Sequence, residues 1–258
     1  MVDKSERCRG PDAPQHCGGL LAVTFDFWGT LYQNAYARVE RLRLFDDALQ
    51  EHRHPRSPQE LDAAYEHARS VWEHEWREEQ RSISTERWVD EVLGYLDAKL
   101  PDGATQRLGR AIENCFLRGD DPRPVRGVGD VLPRLAQRYR LGLISDTGLT
   151  PGRVLRHVLR RDGLLRCFGA LTFSDELGTA KPRPTPFLHT LEILDVRPEQ
   201  AAHVGDLPET DMRGARGVGM KTLLFLGVTG REDGRGFADG VFHGYHELEP
   251  LLEVLDRG

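Results

Sequence analysis

Lysine is scarce in this chain of 258 residues. Lys4, Lys99, Lys181 and Lys221 are four of its 35 basic residues, and the others are arginine. A lysine kept in such a background is a candidate for a specific role, although most lysines are solvated surface groups. Long apolar runs are also missing. Nothing approaches the roughly 18 residues that a membrane span needs, and Leu20–Phe25 is short enough to read as a buried strand. The first residues carry charge without an apolar stretch, which argues against a secretory signal and makes the cytoplasm the expected location. There is no excess of positive charge: the net charge is −6 and the pI about 5.9, which argues against a nucleic-acid partner. The four cysteines, Cys8, Cys17, Cys115 and Cys167, fit no zinc spacing. Cys8 and Cys17 flank His16 in a Pro/Gly-rich start that reads as a tail rather than a metal site. What remains is ordinary for a globular enzyme, and the length suffices for one large domain or two modest ones.

Residues 1–19 are expected to be a disordered tail. The strand Leu20–Phe25 then ends at Asp26. From about Asn34 to Arg118 the pattern is helical. Ser57-Pro58-Gln59-Glu60 is a capping box with proline at the first helical position. Ser84 can cap a helix that carries Trp88, Val92 and Leu96. Trp72 and Trp76, four apart, share a helix face and read as core rather than as a ligand platform. Asp120-Asp121-Pro122-Arg123-Pro124 looks like a linker. Beyond it, apolar strands are expected at Leu141–Ile144, Ala170–Phe173, Ala201–Val204 and Thr222–Leu226, with helices between them, one starting at Thr150-Pro151 and another at Pro186. Such alternation implies βαβ units and a parallel sheet covered on both faces, with ligands at the carboxyl ends of the strands. Asp26, Ser145 and Asp206 all fall at such ends.

Four pieces carry chemistry. Phe25-Asp26-Phe27-Trp28-Gly29-Thr30-Leu31 places a carboxylate after a buried strand, followed by a Gly-Thr turn. Leu143-Ile144-Ser145-Asp146-Thr147-Gly148 places a hydroxyl at the end of another. Gly178-Thr179-Ala180-Lys181-Pro182-Arg183-Pro184 holds a lysine among prolines ahead of a helix. Val204-Gly205-Asp206-Leu207-Pro208-Glu209-Thr210-Asp211 puts two carboxylates five apart after a third strand. Helix N-terminal capping is the plainer reading of Asp206 and Asp211. Three clustered carboxylates, however, repel one another unless a cation sits among them.

In this order the four pieces resemble the motifs of the haloacid dehalogenase-like (HAD) superfamily, over roughly residues 20–255, with the closing strand near Ala238-Asp239-Gly240-Val241 and a last helix after it. The resemblance implies an α/β fold, a Rossmann-like parallel sheet core (20–33 and 120–258) with an inserted all-helical cap subdomain (34–119). It implies a Mg²⁺-dependent hydrolase, most naturally a phosphatase acting on a small phosphorylated metabolite through an aspartyl-phosphate. Asp26 would be the nucleophile, with Ser145 and Lys181 completing the catalytic set. Trp28, Gly29, Thr30, Asp146 and Thr147 would lie against the substrate. Asp26, Asp206 and the backbone carbonyl of Trp28 would bind Mg²⁺, and Asp211 would hold a metal-bound water or Lys181. Neither nucleic acid nor membrane is an expected partner.

One position departs from the pattern. Phosphatases of the superfamily carry a second aspartate, the general acid and base, two residues after the nucleophile; Trp28 stands there. Indole cannot protonate a leaving group, and loss of a general acid costs about 10²–10⁴ in rate. Asp146 is a candidate substitute, although local turn hydrogen bonds are the plainer reading. Haloacid dehalogenases of the superfamily have an aromatic residue at this position, need no Mg²⁺ and have a fourth motif rich in Ser and Asn. Phosphonoacetaldehyde hydrolases keep Mg²⁺ and use a cap lysine, a role for which the cap offers Lys99. A non-catalytic phosphate-binding protein is the remaining alternative, disfavoured by the intact Asp26, Lys181, Asp206 and Asp211. Arg38, Arg41 and Arg43 at the start of the cap could meet an anion or form a solvated face.

Overall fold

A computed structural model of the protein describes residues 19–257; residues 1–18 of the expected tail, with Cys8, His16 and Cys17, lie outside the described residues. Apolar segments become strands where both faces are covered. Those strands are β1 (Ala22–Phe25), β2 (Arg140–Ser145), β3 (Phe168–Phe173), β4 (Ala201–Gly205), β5 (Lys221–Phe225) and β6 (Gly240–Phe242). They form one parallel sheet in the order β3-β2-β1-β4-β5-β6. All four residues of β1 and all five of β4 are buried, the near-continuous apolar reading of a sheet enclosed on both sides. After β3 the chain returns to the far side of β1, so β1 and β4 flank the switch point where parallel sheets open a crevice. Phe25 is in register with Leu143 on one side and Val204 on the other. The motif residues that follow these strands are thereby brought to one level.

The helices of the sheet domain are α5 (Val128–Leu135), α6 (Gly152–Arg161), the single turn α7 (Ser174–Leu177), α8 (Pro184–Leu194), α9 (Arg213–Gly217) and α10 (Leu248–Arg257). Helix α8 begins at Pro184, two residues ahead of the expected Pro186, because Pro184 already has the first-turn φ that a helix needs. The closing strand starts at Gly240 rather than Ala238. The Asp239 carboxylate accepts from the Thr222 N–H (2.8 Å) and hydroxyl (3.0 Å), and this side-chain clamp precedes the ladder.

Between β1 and α5 lie α1 (Arg38–Glu51), α2 (Pro58–Arg77), α3 (Thr85–Tyr95) and α4 (Asp102–Glu113). They enclose a core of their own, built on Phe45, Leu49, Ala64, Trp88, Val92 and Ile112, and Leu149 enters it from the sheet domain. The Ser57–Glu60 capping box is present and Ser84 caps α3. The three arginines of α1 do not form an anion site. Arg38 pairs with Asp62 and Glu66, and Arg43 with Glu40 and Asp47. Arg41 is buried and donates to the Leu149 carbonyl (3.3 Å) and the Thr150 hydroxyl (2.9 Å), fastening the helical unit to the sheet domain. Leu49 is fully buried. Leu49→Ala should therefore lower stability to denaturant by about 2–5 kcal/mol, against about 1 kcal/mol for Ser57→Ala; equal losses would contradict this account of the helical unit.

Candidate active site

The chain leaves β1 at Phe25, and the Asp26 N–H extends the ladder by one bond to the Val204 carbonyl (2.9 Å). A tight turn follows. The N–H groups of Leu31 and Tyr32 both donate to the Phe27 carbonyl, and Gly29 takes a φ of +72°. A side chain at residue 29 would place its Cβ 2.4 Å from an Asp206 oxygen, so only glycine lets the turn approach that carboxylate. Phe27 is buried and stacks on Tyr32, with ring centroids 4.4 Å apart. Trp28, half-buried, packs edge-on to Phe27 (4.8 Å) and against Phe116 (6.0 Å).

Lys181 closes the site. Its Nζ donates to Asp26 Oδ1 (2.6 Å), Asp211 Oδ1 (2.6 Å) and the Ile144 carbonyl (3.2 Å), using all three protons. Asp211 is held from behind. The Leu207 N–H donates to its Oδ2 (3.0 Å), and His203 Nε2 lies 3.2 Å from its Oδ1. The other ring nitrogen of His203 is 2.8 Å from the Thr24 hydroxyl. A buried chain therefore runs from Thr24 through His203, Asp211 and Lys181 to Asp26. The wide helical turn over Pro208–Met212 brings Asp211 back onto Gly205, where a Cβ would meet its carboxylate carbon at 2.3 Å. Asp26, Asp206 and Asp211 each offer an oxygen within 4.8 Å of the others, all buried. Thr30 donates to Asp206 at 3.4 Å.

The second motif divides in two. Ser145 is buried, and its hydroxyl makes one long local contact, to the Asp146 carbonyl at 3.4 Å. Asp146 makes no local turn of the kind expected. Its oxygens accept from the Lys181 N–H (3.0 Å) and from Trp76 Nε1 (2.9 Å) on α2. Trp72 and Trp76 do share a face, stacked 5.3 Å apart. That face lies where the two units meet: Trp72 packs against the core of the helical unit and over Gly148 of the sheet domain, and Trp76 holds Asp146. Thr147 has its N–H engaged by Ser174 (2.8 Å) and its hydroxyl by Asp175 (3.0 Å), so it fixes the loop. Lys99 is exposed just beyond α3, without the desolvated surroundings that make a lysine a good Schiff-base former.

A family model of haloacid dehalogenase-like hydrolases matches residues 20–219. The chain belongs to that family of hydrolases. Among curated relatives, a glyceraldehyde 3-phosphate phosphatase of Pyrococcus furiosus is 35% identical over 136 residues, 52% of this chain and 55% of the relative. A phosphoserine phosphatase of Thermus thermophilus is 34% identical over 121 residues, 47% of this chain and 48% of the relative. The chain thus spans about half the length of the curated relatives it matches. A crystal structure of a 2-haloacid dehalogenase from Pseudomonas syringae superposes with a TM-score of 0.69 at 26% identity, over 91% of this chain and 99% of that one.

Electrostatics of the HAD site follow from burial. Asp26, Asp206, Asp211 and Asp146 surround a single ammonium. Burial, reinforced by Asp211 and outweighing the attraction of Lys181, pushes the Asp26 carboxyl up to about 7. Burial and the neighbouring Asp26 raise Asp206 as well. Burial alone would raise Asp211, yet Lys181 and His203 overcome it and hold the carboxyl below its usual value. Burial also works against the Lys181 ammonium, but Asp211 and Asp26 outweigh it and keep the proton in place. His203 is pushed down by burial, which favours a neutral ring. The set is short of positive charge, and its donors are hard oxygens. It fits a divalent cation of the Mg²⁺ type.

A raised carboxyl means that the folded protein keeps a proton which the unfolded chain has already released. For Asp26, with an ordinary value of 3.8 raised to about 7, the resulting stability is full at low pH and is lost as the pH rises from about 4 through about 7. Chelator-treated protein should therefore melt at progressively lower temperature across that window, and Asp26→Asn should flatten the profile. Parallel melting profiles for the two proteins by calorimetry would contradict the assignment.

Proposed function

We propose that this HAD hydrolase is a phosphatase that attacks a small phosphorylated metabolite with Asp26 and depends on Mg²⁺. One observation carries the reading: the Asp26 carboxylate is aligned by a buried Lys181 inside a group of three carboxylates within 4.8 Å of one another. Asp26, Asp206 and the Trp28 carbonyl would hold the ion, and Asp211 would keep Lys181 beside it. When bound, Mg²⁺ would neutralise phosphoryl oxygens that otherwise repel an attacking carboxylate.

The chain's own groups do the rest. One Asp26 oxygen forms a bond to phosphorus while the bond from phosphorus to the leaving oxygen breaks, giving an aspartyl-phosphate and an alcohol. Lys181 and the Ser145 hydroxyl, whose one contact is the long bond to the Asp146 carbonyl, meet the charge on the phosphoryl oxygens. Water then attacks the phosphorus, and phosphate leaves with Asp26 restored. Asp146 is half-buried and its carboxyl is raised by desolvation, but both of its oxygens already accept hydrogen bonds. It acts as a clip between Trp76 and the Lys181 backbone, so the alkoxide leaves with a proton from solvent. The curated relatives named as phosphatases support the reading.

Dehalogenation is the second reading. It is favoured by the aromatic Trp28 and by the Pseudomonas syringae neighbour. A panel of phosphate esters, acyl phosphates, phosphonates and haloacids, assayed with and without chelator, separates the two. Phosphate ester hydrolysis should vanish in chelator and return with Mg²⁺, and Asp206→Ala should raise the Mg²⁺ concentration required. Haloacid turnover that survives chelator would overturn the phosphatase reading.

Absence of an acid at residue 28 makes a further prediction. Aryl and acyl phosphates should be hydrolysed far faster than alkyl phosphates, with log kcat/KM falling steeply as leaving-group pKa rises. Trp28→Asp should flatten that line, by up to the roughly 10²–10⁴-fold worth of a general acid for the poorest leaving groups. A flat wild-type line with chemistry rate-limiting would show that another group already delivers the proton.

A further inference from the structure

Beside the catalytic group lies a small cavity of about 110 Å³, walled by the end of α2 and floored by the third and fourth motifs. Three of its lining residues are immediate neighbours of the chemistry. Pro182 follows Lys181, Leu207 follows Asp206, and Trp76 holds Asp146. Three arginines also line it: Arg77, Arg213 and Arg231. Arg231 is neutralised by Glu209 (2.5 Å) and Asp233 (3.1 Å). Arg77 and Arg213 are different. Among the described residues neither lies in a salt bridge, although the chain is acidic overall and many of its other exposed arginines are paired. The Arg77 guanidinium rests over the Trp76 ring, 5.3 Å from its centroid, which orients it without neutralising it. Thr210 belongs to the same lining, and its hydroxyl is buried without a hydrogen-bond partner. A buried, unpartnered donor is costly unless something completes it.

We propose that this cavity is a subsite for a second anionic group of the substrate. The substrate is then a compact phosphate ester that carries a carboxylate or another small anion, with its phosphoryl group at Asp26 and its far end between Arg77 and Arg213, where Thr210 donates. The inference rests on the phosphatase reading and narrows it to one substrate class. The size of the cavity supports a small head group: it is well below the roughly 300–1,000 Å³ of pockets that enclose larger ligands. Guanidinium groups suit planar carboxylates and phosphates alike.

The test compares phosphoglycolate with ethyl phosphate, two alkyl esters that differ by a carboxylate in place of a methyl group. Wild type should prefer phosphoglycolate in kcat/KM by about tenfold or more, the worth of a hydrogen bond to a charged group. In Arg213→Ala and Arg77→Ala the preference should shrink towards one through a rise in KM for phosphoglycolate, and Arg213→Glu should reverse it. Both arginines are exposed, so the variants are expected to fold; circular dichroism checks this. Equal kcat/KM for the two esters in wild type would overturn the subsite while leaving the phosphatase reading standing, as would variants that slow both esters alike. Hydrolysis of neither ester, with aryl phosphates also inert, would overturn both.

Discussion

Moving an ammonium and two carboxylates out of water costs several kcal/mol for each ion, recovered only when the geometry is close and every proton is used. Lys181 meets that condition. Its three protons go to Asp26, Asp211 and the Ile144 carbonyl, and its backbone N–H goes to Asp146. Other parts of the site depend on this placement. Asp211 needs the wide turn after Pro208 and the glycine at 205; His203 and Thr24 hold it from the far side. Asp26 needs β1 in register between β2 and β4. Removing Lys181 would leave three buried carboxylates and the half-buried Asp146 with no compensating charge.

Around this centre the helical unit does more than cover the sheet. Arg41 ties it to Leu149 and Thr150, and Trp76 ties it to Asp146, whose other oxygen takes the Lys181 N–H. The covering unit is thus linked through one carboxylate to the backbone of the lysine that holds Asp26. Trp28 and Phe116 supply an apolar wall on the side where a second aspartate would stand in a phosphatase of the usual pattern. Such a wall transfers no proton, which is why leaving-group dependence is the property most sensitive to it.

Much of this was legible from the amino-acid order, for physical reasons. Buried parallel strands are near-continuous apolar runs, so their ends, and the polar residues after them, could be placed to within a residue or two. The Gly29-Thr30 pair marked the turn after β1. Partners distant in sequence were less legible. Asp146 read as a local turn residue because its two donors lie 35 and 70 positions away. Trp72 does pack against the core of the helical unit, but the bond from Trp76 to Asp146 was not legible, because a shared helix face does not say which neighbour it meets. Arg38 and Arg43 left two readings open, an anion contact or a solvated face, and their carboxylate partners on neighbouring turns and on α2 decide for the solvated face. His203 was missed, although a histidine three residues before Asp206 in an otherwise apolar strand was a visible signal.

Formation of a covalent bond between Asp26 and the transferred phosphoryl group is the claim on which the account turns. The most direct measurement is acid quenching during turnover of a radiolabelled aryl phosphate, followed by peptide mapping. The account predicts label on the peptide that contains Asp26, appearing and decaying at rates fast enough to lie on the reaction path, and no label in Asp26→Asn. Steady turnover of the ester with no label on that peptide at any quench time would contradict it.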